Sequence, residues 1–235
     1  MPKGRKARVE PPNRNRAPQG RKKLVYIPEH FRVHDHADTI AFMRAHPFAI
    51  LVSGTDDGPF ATHAPLAIRE AGQDLVIRGH VAKANPHWRH LEQQPHCLAV
   101  FHGPHAYISP THYTTREVVP TWNYGAVHAY GNARVFSAPD QLLAVLHELI
   151  PMFEPAYAEQ WAGLAEAYRT RMLSHIVGFE IEVTKIEAKF KLSQNRTPEE
   201  QANIIESLSA ATDTTVTGVA RLMQELGLGT KKQQD

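Results

Sequence analysis

Cysteine is almost missing from this chain: Cys97, within HCLAVF, is the only one in 235 residues. An intramolecular disulfide and a cysteine-based zinc site are thereby excluded, and a reducing cytoplasm fits. Long apolar runs are missing as well. No uninterrupted stretch approaches the roughly 20 residues that cross a bilayer, so the chain reads as soluble, with no membrane partner. The N-terminus is basic but lacks the apolar core of a secretory signal, and no export address is expected. GxSxG and HExxH are absent, and neither GTDDG nor GLG has the strand-to-helix context of a phosphate loop. A serine hydrolase is set aside. Fifteen histidines are present, yet few acids lie near them, and no metal site is expected.

What is present is an ordinary globular balance, 42% hydrophobic and 21% charged, with the charge unevenly distributed. Residues 1–23 hold nine Lys or Arg against the single acid Glu10, a segment charge of +8 in a chain of +2 overall, leaving −6 for the rest. Basic, rich in Pro and Asn and without aromatics, this segment cannot bury enough surface to order itself and reads as a disordered arm. Such an arm can hold phosphate backbones without reading sequence, or be only a solvated tail. The domain reading is an arm at 1–23, a folded unit at 24–210 with a helical insertion at about 139–173, and a C-terminal helix or tail at 211–235.

After the arm, LVYIPEHF is extended, and Asp35 can cap a short helix carrying Ile40, Phe42 and Met43 that stops at His46–Pro47. FAILVSG and PFATHAPLAI read as a hairpin about TDDG, and LVIRGHV follows through EAGQD as a third antiparallel strand. ANPHWRHLEQ reads as a short helix with Asn85 at the N-cap and Pro86 in the first helical position. HCLAVFHGPHAYI and TWNYGAVHAYGNARVF are further strands. PDQLLAVLHELIPMF and AYAEQWAGLAEAYRTRML have helical spacing and should pack as a hairpin of helices. IVGFEIEVTKIEAKFKL alternates strictly, Val177, Phe179, Ile181 and Val183 on one face. Thr197, Pro198 and Glu200 then open a helix with a capping box, and a last helix would carry Val216, Ala220, Met223 and Leu226. About six antiparallel strands with peripheral helices make an α+β fold, and closing the sheet into a barrel removes its exposed edges.

Chemistry concentrates in two places. In TWNYGAVHAY, alternation puts Trp122, Tyr124, His128 and Tyr130 on one side and Thr121, Asn123, Gly125 and Val127 on the other. A planar heteroaromatic ligand such as a flavin could stack on such a wall, and so could the barrel's own core. In RGHVAKANPHWR, Arg78, Lys83 and Arg89 surround the start of a helix, a setting for a phosphate or simply a solvated basic surface.

YIPEHF, ATHAPL, GHVAKANPHW, GPHAYISP, VPTWNY, VHAYG, IVGFEIEV and KLSQNR occur in an order that resembles the PaiB-like family, over roughly residues 25–210. The resemblance implies an FMN-binding split β-barrel, usually a homodimer with ligand sites in clefts between protomers, and a role as a negative transcriptional regulator. Carried onto matching positions, it implies cofactor-binding residues at His63, Gly79, His80, Asn85, Pro86 and Trp88, to which the basic setting above adds Arg78. It further implies Tyr107, Ile108, Ser109, Thr121, Trp122 and Asn123 around the ring, and Lys191, Gln194 and Arg196 toward an anion or a helix junction. The arm and the stretch after about Ala210 depart from the pattern.

The leading expectation is thus a cytoplasmic, dimeric FMN-binding repressor, with DNA as a partner through that role or through the arm. The alternatives are a flavin-dependent oxidoreductase, in which Trp122 and Tyr107 frame the ring and His80 or His128 handles a proton, a haem-binding or haem-handling barrel, and a DNA-binding module acting through the arm alone. No catalytic residue is assigned, and enzyme or regulator stays open.

Overall fold

The structure, a computed structural model, describes residues 24–72 and 74–230; the basic arm at 1–23 and residues 231–235 lie outside the described residues. Among the described residues there are seven strands, β1 (Phe48–Thr55), β2 (Gly58–Pro65), β3 (Ala67–Ala71), β4 (Asp74–Ala82), β5 (His96–Ile108), β6 (Thr121–Phe136) and β7 (Ile176–Lys191). They form one antiparallel sheet in the order β2-β1-β5-β6-β7-β4-β3. The two outermost strands, β2 and β3, are separated in sequence by Leu66 alone, so residues 58–71 form one bent strand that pairs with β1 at one end and β4 at the other. The sheet therefore closes on itself, and counted this way it has the six strands expected from the sequence.

The interior is built by alternation. Leu51, Leu66, Ile77, Phe101, Val127, Phe179 and Ile181 are fully buried, each contributing roughly 1.5–3 kcal/mol by leaving water. In β7 the alternation changes phase. The β6–β7 register shifts between Tyr130 and Gly131, which face Lys185 and Val183, so that Thr184 is an extra residue. Odd-numbered residues point inward before this bulge and even-numbered ones, Ala188 and Phe190, after it. One run of strict alternation along the whole strand was expected; the bulge accounts for the difference.

Helices α3 (Pro139–Phe153), α4 (Tyr157–Gly163) and α5 (Glu166–Leu173) follow β6, the second expected helix being broken at Leu164 and Ala165. They bury Leu142, Val145, Leu149 and Leu173 against Phe136 and Ala67. An ion network holds α3 down: Arg78 bridges Glu148 at 2.8 Å and Glu180 at 3.1 Å, and Arg134 meets Glu180 at 2.8 Å. Burial opposes the Glu180 charge, but the two guanidiniums outweigh it and keep the carboxyl below its usual range.

α1 (His36–Ala45), capped by Asp35, and the pair α6 (Pro198–Ser209) and α7 (Thr214–Glu225) complete the fold. The capping box at Thr197 and Glu200 is formed as expected, and Glu200 also accepts from Thr114. Residues 24–33 lie across the outside of β7, where Leu24 N donates to the Glu187 carboxylate and Val33 N to the Ala188 carbonyl. Cys97 is buried and its thiol is pushed up to about 12 by that burial, in keeping with an unreactive cysteine. Among the described residues no helix is long and apolar enough to cross a membrane.

α2 (His87–Gln93) is docked against β1 and β2 through His87, whose side chain is completely buried. Asn85, expected as the cap, accepts from His87 N, with Pro86 in the cap position itself. Asn85 also donates to Thr62 Oγ1, so Thr62 can donate to His87 Nδ1 at 2.8 Å while Nε2–H donates to Ser53 Oγ at 3.0 Å. Burial first, and the nearby His90 second, lower the ring's pKa from 6.5 to about 4, which favours the neutral form. Between those values the unfolded chain takes up a proton that the folded chain refuses, so stability present above pH 6.5 is lost as the pH falls toward 4. His87→Gln keeps hydrogen-bonding groups without a titrating ring. Its urea midpoint is expected to fall less steeply than wild type over this interval, and parallel slopes would refute the neutral-ring assignment.

Candidate functional site

The expected alternation in β6 is present. Asn123, Gly125, Val127 and Ala129 face the interior, whereas Trp122, Tyr124, His128 and Tyr130 lie on the outer face. The ring wall is thus outside the barrel. Register sets Tyr107 opposite Trp122 and His105 opposite Tyr124. Trp122 lies 6.1 Å, centroid to centroid, from Tyr107 and also from His105. Trp122 and Tyr107 remain 53% and 51% exposed, a large aromatic surface left open to solvent.

A cationic corner adjoins it. Lys191 pairs with Tyr124 across the β6–β7 ladder, and its Nζ bonds to Thr121 Oγ1 and donates to the Trp122 carbonyl at 2.6 Å. Lys189 is two residues along the same face, over the rings of Tyr26 and Tyr124, and Arg196 lies 4.0 Å over Tyr113. Burial first, then repulsion from Lys189 and Arg196, lowers the Lys191 pKa, a strain that a bound anion would relieve. Deeper in the same face, His128 Nδ1 is buried without a hydrogen-bond partner, and burial lowers that ring's pKa. Rings, cations and an unsatisfied polar nitrogen suit a flat, anionic ligand with a polar edge, which is the chemistry of FMN.

Other residues expected here are close by but face inward or are already bonded. Ile108 and Asn123 are fully buried. Asn123 exchanges hydrogen bonds with Ser193, the one non-glycine described residue with positive φ, at 64°. Gln194 folds back onto its own strand, its Oε1 accepting from Leu192 N, and Ser109 caps the turn at Thr111. KLSQNR therefore shapes the junction between β7 and α6 and presents Lys191 and Arg196.

The second expected group is elsewhere on the barrel. His63 stacks on Phe48 at 6.0 Å on the exposed face of β2. Gly79 faces inward, where an added Cβ would meet Leu66 and Phe179 at 2.8 Å. His80 points outward with a buried, unpartnered Nδ1, and burial lowers its pKa. Trp88 donates to the Lys83 carbonyl and is stacked by Arg89, and Asn85 and Pro86 are occupied at the start of α2. Arg78 is engaged by two carboxylates in place of a free phosphate-binding role. His80 pairs with Gly178, thirteen residues along β7 from Lys191, which is roughly 40 Å of strand. His80 and Lys191 therefore stand toward opposite ends of β7.

His105 and Lys189 belong to the exposed site although the sequence did not assign either to the ring wall. Lys189 was legible, two residues before Lys191 in a period-two segment; His105 depended on strand register.

Comparison with known proteins agrees with this geometry. The family model described as "Putative FMN-binding domain" matches residues 25–185. "Protease synthase and sporulation protein PAI 2" of Bacillus subtilis strain 168 is 37% identical over 203 residues, covering 86% of this chain and 97% of that protein. Among solved structures, the flavocytochrome Anf3 of Azotobacter vinelandii superposes with a TM-score of 0.54 at 16% identity, over 71% of this chain and 70% of that one. The FAD and heme binding protein of Mycobacterium smegmatis gives 0.53 at 15% identity, over 68% and 73%. The two solved structures share the split-barrel fold. With the family model spanning more than half of the chain and a close relative spanning nearly all of it, the chain belongs to the PaiB-like family of FMN-binding domain proteins.

Proposed function

We propose that this chain acts as a cytoplasmic homodimer that binds FMN in clefts between its two copies and serves as a negative regulator of transcription. The observation that carries the reading is the exposed Trp122–Tyr107 pair beside Lys191. Trp122 and Tyr107 supply stacking surface, and Lys191, Lys189 and Arg196 attract the phosphate. His80 stands far along β7 from Lys191 in its own chain, and in this reading a second copy brings the group containing His80, Asn85 and Trp88 to the platform. FMN, when bound, supplies a two-electron acceptor. The residues named here bind and orient it and keep water from its face.

The regulatory role is supported by the PAI 2 relative, whose name refers to protease synthesis and sporulation. DNA is the partner of the assembled dimer. In the same reading the chain divides into an arm (1–23), a barrel (24–210) with its helical insertion (139–173) and a C-terminal segment (211–235), the arm adding contacts to phosphates.

Trp122→Ala is expected to weaken FMN binding, read by flavin fluorescence, by at least ~1 kcal/mol, or about fivefold, while sedimentation still reports a dimer. Unchanged affinity would remove the platform. Purified protein showing a Soret band in place of flavin bands would redirect the reading to haem. Shared clefts have a sharper signature. Co-refolding Trp122→Ala chains with Trp88→Ala chains is expected to recover about a quarter of wild-type sites, since each mixed dimer retains one intact cleft; no recovery would mean that each site takes both tryptophans from one chain and would refute the shared cleft. Removing residues 1–23 is expected to reduce DNA affinity and flatten its salt dependence, and identical salt titrations of full-length and shortened protein would eliminate a role for the arm.

A further inference from the structure

A cavity of about 610 Å³ lies beside the platform, where the end of α1, the irregular part of β5 and α7 meet. That volume suits a small molecule. Two glycines bring its walls together. The β5–β6 register shifts between His102 and His105, and a Cβ on the intervening Gly103 would lie 2.5 Å from Phe42 Cζ and 3.0 Å from His46 Nε2. On the facing wall, a Cβ on Gly218 would lie 2.8 Å from Pro104 and push α7 off the sheet. Strand irregularities that re-aim side chains are frequent beside functional sites.

The lining is chemically divided. Ala45, Pro104 and Leu222 give apolar surface; His46, His105 and Arg221 give donors, Thr215 is bonded to Asp213, and Glu225 is the acid. Among the described residues Arg221 has no ion-pair partner, although Glu225 is one turn along α7. Burial, and then His102, keeps His46 below its usual pKa; burial, and then His105, does the same for His102, so these rings crowd one another. The His102 and His105 centroids are 4.9 Å apart. α7 begins at Thr214, beyond residue 185 where the family match ends, so one wall of this cavity lies outside the FMN-binding domain.

We propose that this cavity binds a small organic carboxylate, its carboxylate on the Arg221 fork and its apolar body against Ala45, Pro104 and Leu222. A guanidinium presents two parallel N–H groups that match a carboxylate, whereas the apolar wall offers nothing to a fully hydrated inorganic anion. The His46 and His105 imidazoles complete the donor set. His105 lies between cavity and platform, 6.1 Å from Trp122, so an occupant is placed to influence the flavin face.

The test uses full-length protein without FMN and benzoate as the probe, followed by NMR of the His46 and His105 imidazoles. Saturable shifts are expected, and Arg221→Ala should weaken them about tenfold, the weight of a charge-assisted pair. Arg221→Lys should fall between, and Glu225→Gln should tighten binding by removing a like charge. Arg221 is exposed, so its variants should melt as wild type does. Inorganic phosphate at matched concentration should not displace benzoate. Absence of shifts, indifference to Arg221→Ala, or displacement by phosphate would each overturn the proposal. Trp122→Ala protein should bind benzoate normally, so failure of the flavin reading and failure of this one are separable.

Discussion

The candidate sites depend on the closure of the sheet along residues 58–71. One bent strand serves both edges, turning at the fully buried Leu66, whose side chain fills the space that Gly79 leaves open. A closed sheet has one inside, and that inside is filled by aliphatic and Phe side chains. Rings the core does not admit are then displayed outward, which is why an aromatic-rich strand becomes a platform.

That outer face is only partly covered. The 24–33 segment lies across β7, α3 is held over β4 and β7 by the Arg78 network, and α7 packs against β5. Between them Trp122 and Tyr107 remain open. The charges follow the same division. Arg78 and Arg134 are neutralised by Glu180 and Glu148 where a helix must be held, while Lys191, Lys189 and Arg196 gather at the opposite end of β7 without a direct ion pair among the described residues. An anion gains most at the second place, because the first already has its counter-ions.

Much of the local structure was legible because its causes are local. Asp35 and Thr197 cap helices since their side chains reach backbone N–H groups within three residues. Strand β6 alternates because successive residues of extended chain point oppositely. The β7 phase change was not legible: the bulge at Thr184 arises from pairing with a strand some fifty residues earlier. Arg78 looked like a phosphate ligand because it stands near the start of α2, but its partners Glu148 and Glu180 are 70 and 102 residues away.

By itself, the sequence determined the order and type of the elements, the face of β6 that carries the rings, and, through its ordered motifs, the family. Alternation, capping and turn chemistry act over a few residues and leave their marks in the chain. The tertiary structure alone decided that the ring face points away from the core, that His80 and Trp122 stand apart, and that His46, His105 and Arg221 share a cavity. Those outcomes depend on strand register and barrel closure, which bring together residues between which the chain itself carries no local signal.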